Sequence, residues 1–233
     1  MSSEGPPLRT FGARPDAVAV VWASAGATGA HVGVWYLRDE DDAGRVLHLA
    51  WHYELREDDF PPDGAVWIAS TLDENAANDL HASAVLIGRH REGRVPYALA
   101  NAGAKFAVDG TLDLNRSLGM TCAEFVLLVF EHAGIELISR RTWENLSAVR
   151  VEEDARAQEK LVSILRKGTA EARLQAKRIE HQVGACTRIR AEEVAASSGL
   201  APQPVEFSRA ELAGRAILAR VSAEHAEPAQ PSP

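Results

Sequence analysis

One segment of the chain combines a helix-start signal, a cysteine and a nearly unbroken apolar run: Gly119-Met120-Thr121-Cys122-Ala123-Glu124-Phe125-Val126-Leu127-Leu128-Val129-Phe130-Glu131-His132-Ala133-Gly134. Thr121 followed three residues later by Glu124 is a capping box, so we expect a helix that begins at Cys122. Gly134 is a typical helix end. A helix that is apolar almost all round is normally buried on every side. The sequence therefore predicts a central helix with a thiol at its N-terminus.

The position of Cys122 favours its thiolate form. The unpaired N–H groups and the positive end of the helix dipole stabilise negative charge in the first turn. Glu124 opposes this effect, so we expect a nucleophile that still needs a base. The second cysteine, Cys186, has no evident base, and we expect it to be inert. Two cysteines so far apart in a cytoplasmic chain are more often reduced than bridged.

Composition restricts the classes of partner. The chain has 233 residues, of which 46% are hydrophobic, and this suits one main domain with an appendage. The net charge of −8 argues against nucleic acid and against anionic membranes, because both require a basic surface. We see no signal peptide and no segment long enough to span a membrane, so we expect a cytoplasmic protein.

Two apolar runs upstream of the helix predict a strand pair that carries histidines. The runs are 31–37 and 45–52, joined by an acidic turn at 38–44. Side chains alternate faces along a strand, so the register of the pair decides which residues meet. If His31 lies opposite Ala50, then His48 and His52 are its diagonal neighbours. A slip of one residue would destroy this arrangement.

The remaining patterns predict mixed helices and strands and a chain in four parts. Strands are expected at 17–22 and 66–68, and extended segments at 95–99 and 135–138. A hairpin is expected at 106–112, and helices at 73–90, 152–183 with an interruption at Gly168, 191–198 and 208–223. The parts are a flexible lead-in (1–16), a catalytic core (17–145), a helical extension that packs on the core (146–223) and a disordered tail (224–233). The extension is a cover for the core, a lid over the site, or a surface for a homodimer or a protein partner.

Cleavage of an amide or ester by a thiol requires a nucleophile, an imidazole base and a polar group that orients the base. Cys122, His31 and His48 match these roles in that order, with His52 as the alternative third member. The backbone N–H of Cys122 is a natural first donor to an oxyanion. The candidates for lining the pocket are Tyr97 and Asn115.

A zinc site is the alternative use of the same side chains. His31, His48, His52 and Cys122 offer imidazole and thiolate ligands, which suit zinc. The sequence lacks the short ligand spacings that are typical of structural zinc. We therefore expect neither a metal nor a cofactor.

Three of these motifs together resemble a known family. They are His31-Val32-Gly33-Val34-Trp35-Tyr36-Leu37, Val46-Leu47-His48-Leu49 and Thr121-Cys122-Ala123-Glu124-Phe125-Val126. Residues 17–140 are similar to the circularly permuted NlpC-like branch of the papain-like superfamily, which includes the lecithin:retinol acyltransferase-like proteins. The resemblance implies an α+β papain-like fold, in which an antiparallel sheet packs on a central helix headed by the nucleophile. It also implies that His31 is the general base, His48 its orienting partner and Cys122 the nucleophile.

The resemblance also restricts the kinds of reaction that we expect of this chain. The superfamily includes peptidases, peptidoglycan amidases, deubiquitinase-like enzymes and acyltransferases. Its acyltransferase-like members often carry Asn-Cys-Glu at the nucleophile and a membrane-anchoring tail, whereas this chain has Thr121-Cys122-Ala123 and a polar end. We therefore expect a cysteine hydrolase, a thiol protease or amidase, that acts on a peptide, isopeptide or amide substrate. The alternatives are a non-catalytic binding module of the same fold and a thioester-type acyltransferase.

Overall fold

The computed structural model describes residues 8–10, 18–24, 30–37, 44–59, 65–90, 95–100, 103–144 and 146–226. Within these ranges the chain is α+β, with a six-stranded antiparallel sheet, a two-stranded hairpin and six α-helices. The predicted fold class is therefore confirmed at the level of α+β. The acidic turn expected at 38–44 falls outside the described residues, except for Gly44.

The elements are as follows. The main sheet has the spatial order β1-β6-β2-β3-β4-β5, with β1 (Leu8–Thr10), β2 (Ala19–Ser24), β3 (Ala30–Tyr36), β4 (Arg45–Trp51), β5 (Glu54–Asp59) and β6 (Val66–Ala69). The hairpin consists of β7 (Lys105–Phe106) and β8 (Leu112–Asp113). The helices are α1 (Glu74–Arg89), α2 (Cys122–His132), α3 (Ala148–Lys167), α4 (Ala170–Ile179), α5 (Ala191–Ser198) and α6 (Phe207–Ala226).

Helix α2 is the central helix, as its apolar sequence predicts. It begins at Cys122, and every residue from there to Phe130 is buried. The Oγ1 atom of Thr121 accepts a hydrogen bond from the N–H of Glu124 at 3.2 Å. The other half of the predicted capping box is absent from this end of the helix: the Glu124 carboxylate instead accepts from Arg140 at 2.9 Å. Burial raises the pKa of Glu124, and the charge of Arg140 opposes that rise.

The predicted strand pair β3–β4 is present, and of the registers left open by the sequence it has the one that makes His31 and His48 neighbours. The observed pairs are Val34–Leu47, Trp35–Val46 and Tyr36–Arg45. Continued along the strands, this register sets His31 opposite Ala50, and His48 opposite Gly33. A Cβ atom on Gly33 would lie 2.9 Å from the Cβ of His48, so only glycine leaves the histidine its present position.

The helical extension is fastened to the core by packing and by buried ion pairs. Helix α5 packs on β2 and β3, and α6 packs on α5. Arg150 of α3 is 3% exposed and hydrogen-bonds to Asp154 at 2.7 Å and to Glu193 of α5. Arg190 donates to the other oxygen of Asp154 at 2.9 Å. Arg150 and Asp154 of α3 therefore face the protein rather than water, and each is paired with a residue of opposite charge.

Helices α3 and α4 contact the core at a second place. Their apolar residues Val162, Leu165, Ala176 and others form a small cluster with Ala98 and Leu99 of the core. Gln175 of α4, which is 2% exposed, donates hydrogen bonds to the backbone carbonyls of Tyr97 and Leu118. The segment before α2 is therefore held by the extension.

The edges of the predicted elements need correction. Residues 8–10, assigned to a flexible lead-in, form strand β1 because they pair with β6. Helix α3 begins at Ala148 rather than at 152, because the Ser147 hydroxyl caps the N–H of Arg150. Helix α6 continues to Ala226, three residues into the predicted tail, whose residues 227–233 lie outside the described residues.

Two expected extended segments are single bridges. Ile138 pairs only with Val205, and Tyr97 only with Met120. Strand β5 was not predicted, because Glu54-Leu55-Arg56-Glu57-Asp58-Asp59 has one apolar residue. Cys122 and Cys186 are both free thiols. Among the helices in the described ranges, none pairs sufficient length with sufficient apolar character to cross a bilayer.

Candidate active site

Cys122 lies at the first position of α2 and is 5% exposed. The ring of His31 and the backbone N–H of Val32, both at the start of β3, are near enough to its sulfur to stabilise the thiolate. Burial raises the pKa of the thiol, but the charge of His31 and the polar contacts of His31, Val32 and Tyr97 together outweigh it. The net result is a pKa below the ordinary value, so the thiolate is favoured.

His31 shows the complementary change. Burial lowers its pKa, whereas the charge of Cys122, the hydrogen bond to Cys122 and the charge of Asp58 raise it, and the net pKa lies above the ordinary value. A thiol with a lowered pKa beside an imidazole with a raised pKa favours transfer of the proton from sulfur to ring. The pair is therefore suited to exist as thiolate and imidazolium.

His48 connects His31 to a carboxylate. Its Nδ1 atom lies 2.6 Å from Nε2 of His31, and its Nε2 atom lies 2.9 Å from an oxygen of Asp58. Burial and the charge of His31 lower the pKa of His48, and Asp58 offsets them only in part. Since a carboxylate only accepts, we assign the proton of neutral His48 to Nε2. Its Nδ1 then accepts from Nε2–H of His31, which leaves Nδ1 of His31 to face the sulfur.

Asp58 is the functional residue that the sequence prediction missed. It lies on β5 opposite Val46, diagonal to His48, and its side chain is 54% exposed. A signal for β5 does exist: only His52 and Tyr53 separate it from β4, and a two-residue link is typical of hairpins. Tyr53 has a positive φ of 64°, a conformation found in tight turns. Recognition of this hairpin would have placed Asp58 near His48.

Tyr97 lies beside the sulfur of Cys122. Its hydroxyl donates to the sulfur of Cys122 over 3.9 Å. Its ring packs on Trp51 with centroids 5.4 Å apart, and its backbone carbonyl accepts from Gln175 at 2.9 Å. Burial raises the pKa of Tyr97 well above its ordinary value, so the hydroxyl keeps its proton at neutral pH. The predicted pocket residue therefore lies at the reacting sulfur.

The two remaining candidates lie elsewhere. His52 is buried in the turn after β4, where its Nδ1 accepts from the backbone N–H of Tyr97 at 3.1 Å. It positions Tyr97, whereas Asp58 takes the place next to His48. Asn115 is exposed in a turn after β8 with a φ of 48°, and its N–H donates to Asp113. This turn directs the Asn115 side chain to solvent, so Asn115 does not line the cavity that opens beside Cys122.

A cavity of about 290 Å³ opens beside Cys122. The core contributes Ala30, Tyr97 and Thr121 to its wall. The extension contributes the opposite wall, from α3 and from the segment that leads into α5. The helical extension therefore forms one wall of the space beside the sulfur.

Two other kinds of ligand site are possible in principle, a cluster of metal-binding side chains and the second cysteine, Cys186. In the part of the chain that the structure describes, no set of three or more His, Cys, Asp or Glu side chains is grouped to hold a metal ion. The sulfur of Cys186 lies near the amide of Gln158, and burial raises its pKa. Cys186 therefore lacks the lowered pKa that is typical of a reactive thiol.

We compared the chain with models of known protein families, with curated proteins and with solved structures, and none of the three comparisons found a match.

Proposed function

We propose that this chain is a cysteine hydrolase, a peptidase or amidase, that forms an acyl-enzyme on Cys122. The observation that carries the proposal is the unbroken sequence of contacts from the sulfur of Cys122 through His31 and His48 to Asp58. Nucleophile, base and orienting groups are the parts that thiol-dependent acyl transfer requires. The motif order and the α+β fold also agree with distant membership of the permuted NlpC-like branch.

In acylation the thiolate of Cys122 attacks the carbonyl carbon of the scissile amide. A C–S bond forms, and the π electrons of the carbonyl move to oxygen. The N–H of Cys122 makes no hydrogen bond within α2 and lies beside the Tyr97 hydroxyl, and these two groups are the proposed donors to the oxyanion. When the C–N bond breaks, imidazolium His31 gives its Nδ1 proton to the leaving amine.

In deacylation neutral His31 takes a proton from water, which attacks the thioester carbon. The C–S bond breaks, the thiolate of Cys122 leaves, and the product is a carboxylic acid. In both steps His48 accepts a hydrogen bond from Nε2–H of His31, and so keeps Nδ1 directed at the sulfur. Asp58 fixes the tautomer of His48 that makes this possible.

The test is alkylation of the protein by iodoacetamide at neutral pH, with each cysteine followed by mass spectrometry. Cys122 should react many times faster than Cys186, and His31→Ala should abolish the difference. A Cys186→Ser variant serves as the matched control and should react as the wild type does. Equal, slow reaction of both cysteines in the folded protein would eliminate the proposal and favour a binding module.

Turnover separates hydrolysis from acyl transfer. The wild type should release amine and carboxylic acid from a panel of peptide, isopeptide and simple amide substrates, and Cys122→Ala should not. Product that forms only when an amine or lipid acceptor is added would identify an acyltransferase instead.

A further inference from the structure

The cavity beside Cys122 carries charged groups that the chemistry proposed above does not use. They come from the extension: Lys160 on α3, and Arg188 and Glu192 around the start of α5. Lys160 is exposed at the rim, and Arg188 is partly buried. Two cations and one carboxyl therefore face a space that a substrate enters on its way to the sulfur.

Arg188 has hydrogen-bonding capacity to spare. Among the described residues its guanidinium makes no hydrogen bond, and its ionic contact is with Asp154 at 3.7 Å. Asp154 is already bonded to Arg150 at 2.7 Å and to Arg190 at 2.9 Å. The donors of Arg188 are thus available to a ligand, and the planar guanidinium matches a carboxylate in a two-pronged contact.

The charge of Arg188 also affects the pKa values of two other groups that line the cavity. Burial raises the pKa of Tyr97, and Arg188 acts against that rise. Burial likewise raises the pKa of Glu192, and Arg188 again opposes it. The guanidinium charge therefore acts on the hydroxyl beside the sulfur and on the carboxyl of the wall, which line the same cavity.

Glu192 is the group that competes with an anionic ligand. It is 8% exposed, and burial favours its neutral form. Lys160 and Arg188 outnumber it even when it is ionised. The cavity is consequently cationic overall, although the whole chain has a net charge of −8.

We propose that Arg188 makes this cavity a carboxylate-binding subsite, so that the preferred substrates carry a carboxylate close to the scissile bond. The inference rests on the proposed function and adds the substrate class to it. Arg188 is the specificity-determining residue, with Lys160 as a weaker contributor at the rim.

Two alkylating reagents of similar size test the proposal without a known substrate. Iodoacetate carries a carboxylate and iodoacetamide a neutral amide, and both react with a thiolate by forming a C–S bond and releasing iodide. The measured quantity is the rate constant for iodoacetate divided by the rate constant for iodoacetamide, both at Cys122 and both obtained by mass spectrometry. Arg188→Gln should lower this ratio about tenfold, the effect expected for loss of one charge-assisted hydrogen bond.

Two variants serve as controls. Arg178→Gln removes an exposed arginine of α4 that does not line the cavity, and it should leave the ratio unchanged. Glu192→Gln removes the competing carboxyl and should raise the ratio. A change in opposite directions at Arg188 and Glu192 cannot result from general loosening of the fold.

Larger reagents distinguish the two sources of a carboxylate. Bromoacetyl-glycine presents a C-terminal carboxylate one amide unit from the reactive carbon, and the α-amide of bromoacetyl-aspartic acid presents an acidic side chain instead. The reagent whose rate depends more strongly on Arg188 identifies the source, and each is compared with its uncharged amide.

The outcomes separate this inference from the proposed function. If Cys122 reacts rapidly with iodoacetamide but the ratio is the same in the wild type and in Arg188→Gln, the subsite is wrong and the nucleophile stands. If Cys122 is inert to both reagents, the proposed function fails, and the subsite fails with it.

Discussion

The rings of His31 and His48 meet edge to face, with centroids 4.8 Å apart and an angle of 74° between their planes. Their facing nitrogens are 2.6 Å apart, so one hydrogen lies between them. Two imidazolium ions at this distance would repel each other strongly. Only one ring is charged at a time, and the pKa values of the two residues accordingly move in opposite directions, upward for His31 and downward for His48.

The first prediction concerns the pH dependence of Cys122. His31 lowers the pKa of the thiol below its ordinary value against the effect of burial. The alkylation rate should therefore rise with pH at a midpoint below that of an ordinary thiol. In His31→Ala the effect of burial is opposed only by the contacts with Val32 and Tyr97, so the midpoint should rise. An unchanged pH profile of iodoacetamide alkylation in this variant would contradict the assignment of His31 as the base.

The second prediction concerns Asp58. Asp58→Asn replaces a carboxylate, which only accepts, by an amide that can also donate. The proton is then no longer fixed on Nε2 of His48, and kcat/KM should fall by roughly tenfold to a hundredfold, as on loss of other residues that orient a ligand or base. Asp59→Asn is the matched control, since Asp59 pairs with Arg45 at the end of β5. Kinetics on the same amide substrate should show little change for it. Equal activities of the two variants would remove Asp58 from the mechanism.

The third prediction concerns the space at Gly33. In Gly33→Ala the new methyl would meet the Cβ of His48 at 2.9 Å and Val46 at 2.8 Å, so His48 must move. Activity should fall at least tenfold, and overpacking should cost about 1–3 kcal/mol of the free energy of unfolding.

Gly134→Ala is a control for the loss of stability. Its φ is 74°, so alanine should cost about 1 kcal/mol through backbone strain, but the new methyl meets nothing within 4 Å. Urea unfolding and turnover should show two destabilised proteins of which only the Gly33 variant is impaired in activity. If both retain full activity, the close approach of Gly33 and His48 is not needed.

The fourth prediction concerns the Tyr97 hydroxyl. Tyr97→Phe keeps the packing on Trp51 and removes one donor to the oxyanion, so kcat should fall by roughly a hundredfold. Alkylation by iodoacetamide forms no oxyanion, and its rate at Cys122 should change only slightly. If the substitution slows alkylation as much as turnover, Tyr97 acts on the thiolate itself and not on the oxyanion.

The fifth prediction concerns the buried ion pairs of the extension. Arg150→Met leaves Asp154 and Glu193 short of a partner in a dry environment and should destabilise the fold by about 3–5 kcal/mol. Arg156→Met, on the exposed side of α3, should have little effect because its pair with Glu152 lies in water. Urea unfolding of both variants provides the measurement, and similar midpoints would contradict the structural role of Arg150.

The sequence was sufficient for the central helix and for the strand pair, but not for the register of that pair. Thr121 and the apolar run to Phe130 define α2 through local signals alone. Alternation along β3 and β4 leaves several registers open, and the observed one makes His31 and His48 neighbours. In both cases the information lies within the segment itself or in a pair of adjacent segments.

The residues that were missed depend on contacts between distant segments. Strand β5 is a polar edge strand, and its pairing with β4 rather than its own pattern makes it a strand. The charges of Arg150 and Asp154 resemble those of a solvated helix face until α5 brings Glu193 against them. Arg188 can be identified as a candidate site residue only when the position of the extension beside Cys122 is known.

The two walls of the cavity come from consecutive parts of the chain, and this has an evolutionary consequence. The proposed catalytic side chains belong to residues 31–122, whereas the charged wall belongs to residues 157–192. Replacement of the later segment could change what the protein accepts and preserve how it reacts, provided that the new segment still supports Tyr97 as Gln175 does. Selectivity and chemistry can thus diverge at different rates in descendants of this gene.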